Sequence, residues 1–599
     1  MGYIYEPLPA GPFIRLLQVV DLDPASGQAV CDFNIVCLDG KSVPEYTAVS
    51  YTWDHPATHV SSITFSNSPL SSLPLSQTLH DLFKELQARN ERRALWIDAL
   101  CIDQGNAAER AAQVAMMDRV FSSARRVMVW LGPSTPETHE AFQFVNSKQH
   151  LSCPTGWDSV PDADIDDLRA GLESVLSAIL ARPWFRRIWV VQEAALNRSV
   201  QVVCGSDSTG IGALQSCVLA LWKFAVDWEP FDVEPTVLGL WCVTRLLAIR
   251  DEFLERGSVR IEKLLQQAYC CDCTDQRDAV FAFLGLADKQ LALPAPDYTV
   301  PIGDEPEYAA AVDRVYYDTA VALLCHGPSL DALALAGITL SHRSGVPSWV
   351  PDLRYVCFED PFTTVDKTHW NAGGPIAGNA ELVAPGKLKV HCSVFDTVDT
   401  LCAKFDGTDV PAYQEAMRDV LALASKLLKQ PISISPSSRA INDKNDGDAE
   451  EEERNDVLLD RLVSILTFGL GVDGKPIGPE YRGFFDDWLR WLQTNPADAD
   501  FSEIHGNAFY RALYTRLEGW RVFGTGRGFF GIGSSQVEVG DKVCIVPGCR
   551  FPLLIKPKQG FQGPVPSTEA LLVYWCYVDG LMDGGWLDTH HADIELILC

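Results

Sequence analysis

Trp189 and Glu193 stand four residues apart in Arg187-Ile-Trp-Val-Val-Gln-Glu193. In a helix, positions i and i+4 share one face, so the indole and the carboxylate point together toward whatever that face meets. A shared face is what a site built from an aromatic plane and an acid needs. The same pattern also fits a core-facing aromatic helix of Trp184, Phe185, Ile188, Trp189 and Val191, with Glu193 paired to Arg186 or Arg187. Asp98, Asp103 and Gln104 lie at the end of the apolar run Ala94–Leu100. There they either line a crevice or cap the helix that follows, and capping suits Asp103 best. Ser50 and Trp53 end another such run, Thr47–Trp53, where a hydroxyl and an aromatic plane could meet a nucleotide or where the indole could join the core.

Other chemistry-bearing patterns are weak. The sequence contains no G-x-S-x-G, no G-x-x-x-x-G-K-[ST] and no H-E-x-x-H, which removes the main support for serine hydrolase, P-loop and zinc protease readings. A G-x-G-x-x-G at Gly469, Gly471 and Gly474 runs into Lys475-Pro476 rather than a helix, so it reads as a loop. Pro56 separates His55 from His59, which also suits a loop. The 18 cysteines are scattered on apolar segments and read as reduced, buried thiols. Cys270, Cys271 and Cys273 lack the second pair of ligands that a tetrahedral metal site needs. No metal is expected.

The candidate residues sit where β and α patterns alternate. Thr47–Trp53 and Ala94–Leu100 read as buried strands flanking an amphipathic helix at Gln77–Arg89. The pattern continues with helix AERAAQVAMMDRVFSSA, strand RRVMVWLG, helices LRAGLESVLSAILA and RPWFRRIWVVQEAAL, and strand SVQVVCG. This alternation indicates an α/β fold with a parallel sheet, its strands around Val49, Ile97, Val129 and Val202, and a ligand crevice at their carboxyl ends. The expected organisation is an N-terminal strand segment (1–39), this α/β domain (40–205), a mainly helical region (206–430), a disordered acidic linker (431–456) and a C-terminal helical and β-barrel-like module (457–599). The linker carries PSSRAINDKNDGDAEEEERND, where apolar periodicity disappears.

Composition bounds the partners. Forty-nine Lys and Arg against 79 Asp and Glu leave a net charge of −30, which repels phosphate backbones and anionic lipid. Bulk-charge binding to nucleic acid or to a membrane surface is therefore excluded. No apolar run approaches a bilayer span and the first residues lack a signal-peptide pattern, so a cytoplasmic location is expected.

Three segments carry a family resemblance: Tyr46-Thr-Ala-Val-Ser-Tyr-Thr-Trp53; Leu95-Trp-Ile-Asp98-Ala-Leu-Cys-Ile-Asp103-Gln104 with Val129-Trp-Leu-Gly132; and Arg187–Glu193. They resemble the three blocks of the fungal heterokaryon-incompatibility (HET) domain. The likeness extends to Tyr5-Glu-Pro-Leu8, Thr274-Asp-Gln-Arg-Asp278, Pro347-Ser-Trp-Val-Pro-Asp352 and Asp579-Gly-Leu-Met-Asp-Gly584. Asp54 departs from it, standing where the family usually has Gly. The resemblance implies a Toll/interleukin-receptor (TIR)-like, flavodoxin-like parallel sheet in a protein of self/non-self recognition and regulated cell death, working with protein partners or by self-association.

Some TIR-like domains cleave NAD with a Glu in a Trp-x-x-x-Glu context. The resemblance thus implies Glu193 as the catalytic acid, with NAD as a substrate rather than a cofactor. Ser50, Trp53, Asp98, Asp103, Gln104 and Trp189 would line the crevice. A carboxylate there could stabilise the oxocarbenium-like state of N-glycosidic cleavage. Two other readings stay open: a non-enzymatic interaction scaffold, and an accessory protein of a biosynthetic pathway.

Overall fold

The computed structural model describes all residues except 1, 23–28, 41–42, 55–58, 69, 90, 92, 149–164, 225–234, 304–305, 338–344, 355–369, 376, 406–409, 429–455, 458, 472–475, 496–500, 505, 518, 559–566 and 593. The chain divides into two units, residues 1–226 with 230–315, and residues 316–599 with 227–229.

The first unit is built on strands β1 (Phe13–Leu22), β2 (Ala29–Cys37), β3 (Tyr46–Tyr51), β4 (His59–Phe65), β5 (Ser72–Ser76), β6 (Ala94–Trp96), β7 (Arg126–Trp130), β8 (Val200–Cys204) and β9 (Asp207–Gly210). Its helices are α1 (Gln77–Ala88), α2 (Asp98–Cys101), α3 (Ala107–Val114), α4 (Met117–Ser123), α5 (Pro136–Lys148), α6 (Ile165–Ser174), α7 (Trp189–Ala195), α8 (Ile211–Phe224), α9 (Pro235–Arg256), α10 (Ile261–Ala268) and α11 (Asp278–Phe281). The nine strands form one sheet in the order β5-β4-β2-β1-β6-β3-β7-β8-β9. At its centre β6, β3, β7 and β8 run parallel. All six residues of β3 are buried, as expected of a strand covered on both faces. Taken by order in the chain, these four strands lie second-first-third-fourth, the order found in flavodoxin-like sheets.

The sheet as a whole is mixed rather than parallel. β1 runs antiparallel to both β2 and β6, β4 to β5, and β8 to β9. For β8 and β9 connection length explains this: the two residues between them can make a hairpin but not a parallel crossover. Three local expectations change as well. The run Ala94–Leu100 leaves the sheet after Trp96, so Asp98 opens the short helix α2 instead of ending a strand. The helix expected around residues 108–124 is two helices, α3 and α4, broken at Met116, whose ψ of 3° leaves the helical region. Ahead of α7, Pro183–Arg186 form a 3-10 turn and Arg187 is extended, its ψ being 137°.

The second unit carries β10 (Ala380–Ala384), β11 (Lys387–Lys404), β12 (Trp520–Thr525), β13 (Phe530–Ser534), β14 (Lys542–Ile545), β15 (Leu553–Pro557), β16 (Ser567–Trp575), β17 (Tyr577–Val578) and β18 (Ile594–Leu598). The 18-residue β11 pairs in succession with β18, β14 and β12. Since β14, β15, β16 and β18 also pair in series, the path returns to β11 and closes. Phe395, Val398, Phe523, Val543, Ile545, Leu554 and Val573 fill the core inside. The region 206–430 is therefore not simply helical, because the hairpin β10–β11 lies within it. Gly386 turns that hairpin at a φ of 74°, which favours glycine. The segment expected to be a linker lies outside the described residues except for Asp456. Among the described residues no helix is long and apolar enough to cross a membrane.

Candidate active site

The carboxyl ends of the central strands put the site together. β3 ends at Tyr51 and the chain continues through Thr52 and Trp53; beside it β6 ends at Trp96 and α2 begins at Asp98. Ligands bind at such ends in open α/β sheets, where the strand order reverses. A cavity of about 580 Å³ lies there, lined by Trp53, Asp98, Gln104, Trp189 and Glu193 together with residues from 272 to 302. Ser50 and Asp103 are not on its wall.

Glu193 is the fifth residue of α7, and the backbone entering α7 is tied to Asp272. Asp272 N–H donates to the Arg186 carbonyl at 2.5 Å, and Ile188 N–H donates to the Asp272 carbonyl at 3.2 Å. Only 3% of Glu193 is exposed. The Ser50 hydroxyl donates to Glu193 Oε2 and itself accepts the Trp184 indole N–H at 2.7 Å. Ser50 therefore stands behind the carboxylate as its positioning donor. Burial pushes the Glu193 carboxyl up to about 7, against the lowering effects of the Arg187 charge and the Ser50 hydrogen bond. Arg187 donates to the Tyr51 carbonyl, and Arg186 pairs with Asp272 at 3.3 Å. Neither arginine forms the expected ion pair with Glu193 among the described residues.

Asp98 accepts the Trp53 indole N–H at 3.0 Å and its own helix's Ala99 N–H at 2.7 Å, while burial raises its carboxyl above the ordinary value. Gln104 Nε2 donates to the Asp98 carbonyl at 3.0 Å and so ties the α2–α3 connection to the cavity rim. Asp103 is turned elsewhere: its Oδ1 accepts Gly105 N–H at 3.1 Å, and the cap of α3 is Asn106. Asp54 accepts the Thr78 hydroxyl at 2.6 Å and the Thr78 N–H at 2.9 Å, so its carboxylate anchors the start of α1.

The opposite wall was not foreseen as part of the site. Asp278, first residue of α11, accepts the Trp189 indole N–H at 2.9 Å and the Tyr298 hydroxyl at 2.6 Å. Burial pushes its carboxyl up to about 7. Arg277 grips Asp275 through Nε at 2.9 Å and Nη2 at 2.7 Å, and lies 5.1 Å from the Tyr298 ring centroid. The signal available in the sequence was the Thr274–Asp278 motif, but no spacing connects it to Glu193. Cys273 also lines the cavity and donates to the Asp275 carbonyl, whereas Cys270 accepts from Arg245. No group of three or more His, Cys, Asp or Glu among the described residues is arranged to hold a metal ion.

Residues 46–193, from the first residue of β3 to the cavity glutamate, match the family model described as "Heterokaryon incompatibility protein (HET)". The chain carries a HET domain. Residues 493–596 match a second model, "Het-6 beta-barrel domain", so a Het-6 barrel domain follows in the second unit. The HET-domain chain is also homologous to "Heterokaryon incompatibility protein 6, OR allele" of Neurospora crassa, to which it is 24% identical over 96% of its own length and 94% of the relative's. No solved structure matches it.

Proposed function

We propose that the chain acts in heterokaryon incompatibility and regulated cell-death signalling, and that its HET-domain cavity binds NAD and cleaves the nicotinamide N-glycosidic bond. The observation that carries this reading is the placement of Glu193. Its carboxylate is buried, held by Ser50 on one oxygen, and lines an aromatic cavity at the carboxyl ends of β3 and β6. In the reaction the bond from ribose C1′ to the pyridinium nitrogen breaks, and nicotinamide leaves with the bonding pair. Ionised Glu193 stabilises the oxocarbenium-like ribosyl group that remains. Water then adds to C1′ and gives its proton to the carboxylate. A TIR-like fold and association through protein partners belong to the same proposal, and homology to the Neurospora heterokaryon incompatibility protein supports the incompatibility role.

The test is incubation of the purified protein with NAD, followed by chromatography for nicotinamide. Wild type is expected to release nicotinamide, and Glu193→Gln to lower the rate by about 10²-fold or more without loss of fold. NAD left intact by wild type, even when fused to an oligomerising domain, would reject the enzymatic reading in favour of a scaffold.

A further inference from the structure

The cavity holds the same pairing twice. Trp53 Nε1 donates to Asp98 Oδ2 at 3.0 Å, Trp189 Nε1 donates to Asp278 Oδ2 at 2.9 Å, and all four residues are on the wall. A bond from the ring edge fixes how an indole is turned while leaving its faces free for a flat partner. Among the described residues no aromatic ring or guanidinium stacks on either indole.

The cations of the wall are hydrogen-bonded in place, and among the described residues only Arg277 is ion-paired, to Asp275, while the Arg187 charge still reaches Asp98 and Glu193. Arg277 is held by Asp275 and by the Asp297 carbonyl at 2.9 Å, and Arg187 by the Tyr51 carbonyl. Arg110 donates to the Gln104 carbonyl at 3.3 Å and lies over the Tyr298 ring. An indole face with a carboxylate at its rim attracts a positive charge, and a planar cation gains stacking as well.

We propose that Trp53–Asp98 and Trp189–Asp278 are the two halves of a recognition site for a planar, positively charged heteroaromatic ring, so that the pyridinium end of NAD, and not its adenine or pyrophosphate, enters the cavity. Asp98 and Asp278 are then positioning residues, acting through the indoles they hold. One half comes wholly from the segment matched as HET, whereas the other depends on Asp278, which lies beyond it. This inference rests on the NAD reading for the identity of the ligand, but its test needs no catalysis.

The experiment titrates the full chain at pH 8, above the value of about 7 to which burial pushes the Asp278 carboxyl, with 1-methylnicotinamide (a cation without a cleavable ribose), nicotinamide (its neutral counterpart) and AMP, read by tryptophan fluorescence and calorimetry. The cation is expected to bind at least about tenfold more tightly than nicotinamide, with AMP weakest. Asp278→Asn can still accept the Trp189 N–H, so it should lower affinity for the cation severalfold while leaving nicotinamide affinity near wild type and the melting temperature no lower than wild type. In turnover it should raise KM for NAD more than it lowers kcat. Asp98→Asn makes the same test on the other wall if the first variant proves unstable. Equal affinity for cation and neutral ring, tighter binding of AMP, or equal weakening of both rings in the variants would overturn the proposal. Cation-selective binding without NAD cleavage would uphold the inference and remove the catalytic reading; cleavage without cation selectivity would do the reverse.

Discussion

At the scale of single residues, the site is governed by carboxyls kept out of water. Glu193 titrates near 7 in the fold against an ordinary 4.5, and Asp278 near 7 against 3.8. Between those limits the folded chain binds more protons than the unfolded one, so stability is greatest at the acid end and falls as pH rises toward 7. For Glu193 the loss amounts to roughly 3 kcal/mol. Denaturant unfolding of wild type and Glu193→Gln at pH 5 and pH 8 checks this: the variant should lose less stability across the interval. NAD cleavage should show the opposite trend, rising through about pH 7 as the carboxylate forms. Ser50→Ala should shift that profile to higher pH, because the hydroxyl stabilises the ionised carboxylate. It should also destabilise the fold by about 1–3 kcal/mol, since the buried Trp184 N–H loses its acceptor. A profile that does not move would show that Ser50 leaves the Glu193 titration untouched.

At the scale of elements, the segment matched as HET is less than a folding unit. Its parallel strands lean on β1 along β6 and on β8 along β7, both outside residues 46–193, and nine of the 22 residues of the cavity wall follow later. A fragment of residues 46–193 should remain unfolded by circular dichroism and amide exchange, whereas residues 1–326, which include the helix Pro306–His326, should fold. Packing between α7 and the chain after α11 gives another test. A Cβ at Gly285 would stand 2.5 Å from both Gln192 Oε1 and Asp118 Cβ, and Gly285 N–H donates to that same Oε1. Gly285→Ala should therefore cost about 1–3 kcal/mol, measured by thermal unfolding. The strand and helix alternation behind β3, α1, β6, β7 and β8 was legible because burial on both faces leaves long apolar runs. Trp53, Asp98, Gln104, Trp189 and Glu193 were legible as residues at strand ends or on one helix face. The break at Met116 leaves no Gly or Pro to betray it, and Asp278 reaches Trp189 from 89 positions further along the chain, a separation no local period records. β11 is a different case: Leu388, Val390 and Cys392 alternate as a strand should, but lie in a region dominated by helical patterns.

At the scale of the whole chain, β11 changes what a cut between the two halves of the second unit would do. Apart from its hairpin neighbour β10, its partners β12, β14 and β18 lie beyond residue 455, while β11 itself lies before residue 429. A protease cut within 429–455, the stretch whose composition suggests a linker, should leave fragments that stay together in gel filtration and separate only in denaturant. Independent elution of two folded pieces would contradict the pairing of β11. The same strand also constrains how the protein is made. β11 ends at Lys404 and its partner β18 begins at Ile594, so at about 5–20 residues per second a ribosome takes on the order of 10–40 s to deliver the last neighbour. Throughout that interval the strand has an open edge able to pair with other nascent chains. The yield of native protein should therefore depend on translation speed and chaperone supply, and a message ending before codon 594 would leave the barrel unclosed and prone to aggregate.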